Sequence, residues 1–471
     1  MKNILKRSLA LLLILIFTLG SVWAVDRVLL IKRYDGVQPM ESFYAQEPGT
    51  VDVLLMGNSH MGVHADTATL WKEYGISAFA LWGGVQPMWN TYYFLVEALK
   101  TQQPKAVVLE IGGLSYEDEY SDQATQLKNV AGMHLSLNKL EAVKATAPRE
   151  RWASLLLGLP LYHQRYSELT QEDFEYFPWS EKLINNKGSY ALYGHGDFDM
   201  ADPWAIETVA EISEKSLDYF MRIVSLCREE EIKLILVKTP TVDLEKYQPY
   251  SNAVAEMAEE LGLDFYDFNK MGEETGIEGE DFYFDTHLNL GGARKLSLCL
   301  GEILLDTVDL SDHRGEEAYA SWDVNAENID DGYLLAITQA EDYISELLRG
   351  GRAVLLIKNG DWEKREPYLS FAKELSALGV PEEELLGNDS GAWLIEDSAG
   401  GESGPMGLDF VIDGKSYAVD FQSLNAVTEN GSIIYSFRDL GITLLVYDYH
   451  CGKILDITDF LHTQGFALSR N

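Results

Sequence analysis

Residues 51–66 read VDVLLMGNSHMGVHAD. The run from Val51 to Met56 is apolar except at Asp52, too short for a buried helix and closed by Gly57, so it predicts a strand covered on both faces. Gly57-Asn58-Ser59-His60 then turns the chain toward a helix. Two readings of Ser59 stay open at this point. It is a polar turn or cap residue, or it is a nucleophile at the carboxyl end of a buried strand, where α/β sheets hold their ligands.

The same rhythm continues along the chain. Further strands are predicted at 77–83, 105–112, 232–239 and 263–268. Helices are predicted in ADTATLWKEYG, PMWNTYYFLVEALKTQ, about 205–230, about 252–261 and GGARKLSLCLGEILLD. Strand and helix alternate, which predicts an α/β, doubly wound parallel-sheet domain over 45–308. Residues 115–203, rich in Tyr, Trp, Phe and His, break the rhythm and read as a helical insertion over the sheet. The stretch 309–331, DLSDHRGEEAYASWDVNAENIDD, has the composition of a linker. Beyond it, 330–471 carries RAVLLIKNGD, LDFVIDGKSYAVDF, GSIIYSF and GITLLVYDYHCGKILDITDF, with turn signals at Asp413-Gly414 and Asn430-Gly431. That pattern predicts a second, smaller, β-rich α+β domain.

The chain has 471 residues, and its 37 Lys and Arg against 75 Asp and Glu give a formal charge of −38. Such a surface repels a phosphate backbone, so nucleic acid is excluded as a partner. Cys227, Cys299 and Cys451 are far apart, without the spacing of a metal knuckle or a disulfide framework. His60 and His64 fit an exposed turn as well as they fit ligands, and neither a metal nor a cofactor is expected. At the amino end, Lys2, Lys6 and Arg7 precede a run from Leu9 to Val25 that carries no charge. On length this is a cleaved signal core or a short spanning helix. Val22-Trp23-Ala24 is a poor cleavage site and the basic flank favours a cytoplasmic amino end, so residues 1–30 predict an uncleaved single-pass anchor with the bulk of the chain outside the cytoplasm.

A serine attacks only when a base takes its proton and donors receive the oxyanion. The G-x-S-x-G elbow of α/β-hydrolases does not fit, because Met61 stands at its last position. At the far end of the same domain, DFYFDTHLNLGGARKLS (281–297) sets Asp285 and His287 before a Gly-Gly helix start. This is a base with its orienting carboxylate, one half of a metal site, or a surface loop.

GNSH after the first strand, WGGVQP after the second and D-x-H-L-N before the last helix together resemble the SGNH (GDSL-like) hydrolase superfamily. The closest likeness is to its membrane-anchored, cell-envelope branch of Gram-positive bacteria, related to the teichoic acid D-alanylation accessory protein and to alginate O-acetylation proteins. GMHLSLNKLEA (132–142), YHQRYSEL (162–169) and LILVKTP (234–240) add to it. The resemblance implies an acyl-Ser59 intermediate, His287 as base and Asp285 as its orienter, with Asp281 as a substitute. It also implies an acyl donor, a cell-envelope polysaccharide as acceptor, or water in an esterase, and a membrane-bound O-acyltransferase as partner. Two departures matter. The superfamily spacing is D-x-x-H, whereas position 284 is Phe. Its G-x-N-D block, whose Asn serves the oxyanion, is replaced by EIGGLSYEDE after the third strand.

The remaining donors are the backbone N–H groups of Ser59 and Gly84, with Gln86 or Asn90 as side-chain candidates. Asn58, in place of the Asp of G-D-S, is expected to hold the turn. Lys238 is either a partner for a substrate oxyanion or an ordinary rim lysine. His163 and Arg165 either bind an anionic group of the polymer or tie the insertion to the core. Trp82 packs in the core or stacks on a sugar ring. The second domain resembles the interleukin-like EMT inducer (ILEI) module through RAVLLIKNGD and GITLLVYDYHCGKILDITDF. A rival from another class is a catalytically silent, membrane-anchored glycan-binding or scaffold protein, motivated by the missing Asn and the shortened D-x-H.

Overall fold

All five apolar runs form strands: β1 (Val53–Gly57), β2 (Ala78–Trp82), β3 (Ala106–Glu110), β4 (Lys233–Lys238) and β5 (Asp264–Asp267). They make one parallel sheet in the order β2-β1-β3-β4-β5. The computed structural model describes residues 2–32, 35–116, 122–156, 163–175, 180–194, 196–347, 352–360, 368–387, 390–396, 403–404, 408–412, 414–421, 425–436, 441–449, 453–461 and 466–470. Cys451 and Asp413 lie outside them.

Apart from the glycine or charged residues at the ends of β1, β3, β4 and β5, the strands are apolar because they serve two cores. Val53, Leu55, Ala78, Ala80, Val108, Ile235 and Val237 join Leu70 of α4 (Thr67–Tyr74) and Leu296, Leu300 and Leu304 of the helix Leu290–Thr307. Leu54, Met56, Phe79, Leu81, Val107, Leu109 and Leu236 face the other way, toward Trp89, Phe94 and Leu95 of α5 (Met88–Ala98) and Phe220, Ile223 and Val224 of Glu214–Glu229. Residues one apart on a strand point to opposite faces, so a buried parallel sheet has no polar side. Each such Leu or Phe contributes about 2 kcal/mol by burial.

The helices begin and end where side chains provide for them. Asp66 accepts the N–H groups of Ala68 and Thr69 at 3.2 Å, and Gly75 closes α4 in the left-handed region at φ 68°. Asn289 accepts the Gly292 N–H at 2.9 Å and starts the last helix of the sheet domain. Two predicted starts shift. The helix expected from about 205 begins at Glu214, capped by Ser213. The helix expected from about 252 begins at Leu244 and runs through Pro249. There Asp267 takes bonds from Gln248 Nε2 (2.7 Å) and Ser251 Oγ (2.6 Å), and these tertiary ties hold the turn that proline weakens.

Among its described residues the insertion is only partly helical, with α-helices at Gln123–Ala131, Leu137–Thr146, Trp152–Leu156, Glu172–Glu175 and Glu181–Ile184. The stretch with linker composition contains a helix, Ala320–Ala336. Tyr319, Trp322 and Ala326 enter the first core, and Asp323 accepts the Trp71 indole N–H at 2.7 Å. Their spacing is a buried helical stripe that the acidic residues between them conceal.

The chain divides into two compact units, 1–329 and 330–471. Among the described residues one helix, within Lys2–Leu29, is long and apolar enough to cross a membrane, and its apolar run is exposed. The second unit is β-rich. Its six-stranded sheet is centred on Arg352–Asn359 and Gly441–Asp448, paired antiparallel. One face carries Val354, Leu356, Leu444 and Val446 against the helices Ala340–Leu347 and Tyr368–Ser376. The other carries Leu355, Ile357 and Leu445 against Phe410, Ile412, Tyr417 and Val427 of a four-stranded antiparallel sheet.

Candidate functional site

Ser59 is the first residue of a short helix, α3 (Ser59–His64), that leaves the carboxyl end of β1. Two features force this turn. Gly57 has φ 150°, and a Cβ there would lie 2.9 Å from Glu110 Cβ, so only glycine lets β1 end against β3. Asn58 caps the helix: its Oδ1 accepts the His60 N–H at 2.9 Å and its Nδ2 donates to Tyr116 Oη at 3.1 Å. As a first-turn group, the Ser59 N–H has no acceptor within its own helix.

His287 comes from the hairpin Phe282–Phe284 with His287–Leu288. Its Nε2 lies 2.9 Å from Ser59 Oγ, and its Nδ1 lies 2.9 Å from Thr286 Oγ1. With the proton on Nδ1 donated to Thr286, Nε2 is left to accept from the serine hydroxyl, the tautomer a general base requires. Burial lowers the His287 pKa to about 4; the charges of His60 and Lys238 act in the same sense, and Asp285 opposes them. The ring is therefore neutral at pH 7.

Beneath the pair lies a buried charged group that the sequence reading missed. Lys238 Nζ sits 3.0 Å from Glu110 Oε1 and 3.4 Å from His60 Nδ1, with the ammonium 5.2 Å from the Tyr247 ring centre. Burial opposes ionisation of Glu110, but the Lys238 ammonium and His60 outweigh it and hold the carboxyl down at about 2. Glu110 also accepts the Gly112 N–H at 2.7 Å, fixing the turn after β3. One signal was available: an acid ends the apolar run KAVVLE and a lysine ends LILVK, and parallel neighbours bring such ends together.

His60 and His64 are buried, not exposed turn residues. Burial, aided by the neighbouring imidazoles and Lys238, lowers the His64 pKa well below its ordinary value. His64 Nε2 accepts the Leu288 N–H at 3.2 Å, pinning the hairpin onto α3. The rings of His60, His64 and His287 have centres 5.3 to 5.7 Å apart, yet no group of His, Cys, Asp and Glu among the described residues is arranged to hold a metal.

No protein-family model matches the chain, and no curated protein is significantly similar to it.

The structure thus brings Ser59 and His287 together, with Lys238 beneath them instead of at the rim. It does not bring Asp285 onto the imidazole. The Asp285 carbonyl accepts the Val242 N–H at 2.8 Å and the Thr241 hydroxyl at 3.3 Å, its side chain is exposed, and the partner of His287 Nδ1 is Thr286. Asp281 is occupied by the Glu278 N–H (2.8 Å) and Lys295 Nζ (2.7 Å). The side-chain oxyanion candidates are engaged elsewhere: Gln86 Nε2 donates to Thr91 Oγ1 at 3.0 Å, and Asn90 bonds to Asn129 O and Thr146 Oγ1. The Gly84 carbonyl accepts from Asn129 Nδ2 at 2.9 Å. Arg165 donates to Leu29 O (2.9 Å) and to Asp173 (2.6 Å), so it ties the insertion to the amino-terminal helix. His163 begins the turn His163–Ser167, and its side chain lies outside the described residues. Trp82 is buried flat against Gly62, where a Cβ would come within 2.0 Å of the indole. Its edge lines a cavity of about 490 Å³ with Asn185, Tyr190, Tyr193 and Asn325; Ser59 and His287 are not in that lining.

Proposed function

We propose that this chain is a serine-dependent acyl-transfer enzyme, an esterase or O-acyltransferase held at the membrane by its amino-terminal helix. The observation that carries this reading is the 2.9 Å approach of Ser59 Oγ to the Nε2 of a neutral His287. Ser59 Oγ attacks an ester carbonyl while His287 Nε2 takes its proton, and the Ser59 N–H at the start of α3 receives the oxyanion. Collapse expels the alcohol, which takes the proton back from His287 and leaves acyl-Ser59. Water or an acceptor hydroxyl then repeats the step in reverse.

The finer assignment rests on resemblance. A β2-β1-β3-β4-β5 parallel sheet with helical cores on both faces, a serine after β1 and a histidine before the last helix suit a doubly wound SGNH-like fold. On that likeness the acceptor is a cell-envelope polysaccharide, the partner a membrane-bound O-acyltransferase and the bulk of the chain extracytoplasmic. The ILEI-like reading of the second unit has the same standing. That His287 Nδ1 meets Thr286 and no carboxylate favours the rival, a silent glycan-binding protein.

Acyl trapping separates the two. The full chain is incubated with p-nitrophenyl acetate and followed by release and intact mass. The enzyme reading expects an acetyl adduct on Ser59, with Ser59→Ala and His287→Ala losing roughly 10³-fold in rate or more. Wild type that shows neither release nor adduct with acetyl, butyryl and longer donors sinks it in favour of the binding protein.

A further inference from the structure

We propose that the insertion carries a second membrane contact, a patch formed by Leu135, Leu137, Tyr166 and Phe174 that rests in the lipid headgroup layer beside the amino-terminal helix. This rests on that helix being a bilayer span and is independent of the serine chemistry.

The four side chains are 69%, 81%, 74% and 55% exposed, costly for large apolar groups in water. Tyr166 and Phe174 each stand next to a residue that grips the end of the helix, Leu135 stands next to one that reaches it through Glu41, and Leu137 lies two residues further on. Tyr166 follows Arg165, which donates to Leu29 O at 2.9 Å. Phe174 follows Asp173, whose carbonyl accepts from Lys32 Nζ at 3.1 Å and whose carboxylate holds Arg165 at 2.6 Å. Leu135 follows His134, which stacks on Tyr44 with ring centres 3.8 Å apart and places Nε2 4.0 Å from Glu41. Glu41 in turn accepts from Arg27 of the helix. Leu137 opens the helix Leu137–Thr146, whose Lys139 donates back to Met133 O at 2.8 Å.

Depth follows from the helix rise. The 18 uncharged residues from Ser8 to Val25 span about 27 Å, the thickness of a hydrocarbon core. Leu29 and Leu30, packed with Ala131, lie about 6 Å beyond its edge, at headgroup level. Groups anchored to those residues share that level, where tyrosine and other amphipathic rings are favoured. Charge agrees: residues 122–175 carry six basic and seven acidic side chains in a chain of −38, so this near-neutral segment meets anionic lipid without strong repulsion.

The test places the photo-cross-linker p-benzoylphenylalanine singly at positions 19, 135, 137, 166, 174 and 209 of the full chain. Each variant goes into nanodiscs of phosphatidylcholine and phosphatidylglycerol, and lipid adducts are read by mass spectrometry. Position 19 reports the span, and Val209, 51% exposed and distant in sequence from the patch, reports ordinary surface. The proposal expects adducts at 19 and at the four patch positions, at least tenfold above 209. Adducts at 19 with none at the patch overturn it. Adducts at neither break the anchor itself, and with it the proposal. Patch positions that cross-link only in native membranes, and to protein, also overturn it and point to a protein partner.

Discussion

Both units bury an ion pair, and only the first places it beside a serine–histidine pair. In the first, Glu110 and Lys238 meet 3.0 Å apart at the carboxyl ends of β3 and β4, with His60 against them and Ser59 and His287 next to it. In the second, Arg352 at the start of its strand lies 3.0 Å from Asp331 and 3.7 Å from Asp448, both largely buried. Burial, offset by Arg352 and helped by Asp448, raises the Asp331 pKa. Nearby carboxylates are taken by hydroxyls: Asp456 by Tyr343 at 2.9 Å and Thr458 at 3.0 Å, Asp459 by Thr443 at 2.6 Å. Buried charge therefore does not mark a site by itself. What distinguishes the first unit is a neutral imidazole with a hydroxyl on its free nitrogen.

The sharpest way to break this comparison is to remove one partner of each pair. Glu110→Gln leaves the Lys238 ammonium buried and unmatched, and is expected to cost 3–5 kcal/mol at pH 7, on the order of a lost buried pair. Arg352→Met is expected to cost a similar amount in the second unit. Calorimetry of the full chain should show each variant lowering a different transition, and Glu110→Gln/Lys238→Met recovering most of the first loss. Ester turnover should fall with Glu110→Gln and stay unchanged in Arg352→Met. A catalytic defect in Arg352→Met would remove the distinction. The pH dependence has a definite sign. Glu110 is held at about 2 against an ordinary 4.5, so its contribution of about 3 kcal/mol is fully present above pH 4.5 and is lost as pH falls toward 2.

A smaller effect reports on the base. With His287 neutral down to about pH 4, kcat/KM should be flat from pH 5 to 7 and fall through an acid limb near 4. Lys238→Met removes a charge that, after burial and His60, disfavours the imidazolium, and leaves Glu110 unpaired. The acid limb should move up by about one pH unit. A limb that stays in place would detach the buried pair from the chemistry.

How much of this could be read from the sequence depends on the range of the signal. The strands are short with apolar middles, so local pattern suffices. Ser59 and His287 are named together through the resemblance that links GNSH to DTHLN, and the structure sets them 2.9 Å apart. Lys238 was named but misplaced, since nothing local tells a rim lysine from a buried one. Glu110 was missed because its meaning lies in the sheet order, which sets β3 beside β4. Trp322 is hidden by acidic neighbours, and the turns of Leu244–Leu261 before residue 252 depend on Asp267, a tertiary partner that local pattern does not show. The resemblance makes Asp285 the orienter, whereas in the fold it is the adjacent Thr286 hydroxyl that meets His287 Nδ1.

The smallest expected effects therefore concern the two residues before His287. Thr286 holds Nδ1 at 2.9 Å, so Thr286→Val should cost about tenfold in kcat/KM by releasing the tautomer, as weakened positioning does. Thr286→Ser keeps the hydroxyl and should restore the rate, which a merely structural defect would not permit. Asp285 acts on His287 only through its charge, which favours the imidazolium. Asp285→Asn should leave the rate at pH 7 within about twofold and move the acid limb down, by at least as much as Lys238→Met moves it up, because the Asp285 charge is the larger influence on His287. If Asp285→Asn instead cost ~10⁴-fold, the loss seen when a serine protease triad loses its carboxylate, Asp285 would have to swing onto Nδ1 once substrate binds. Thr286 would then be its placeholder in the free chain.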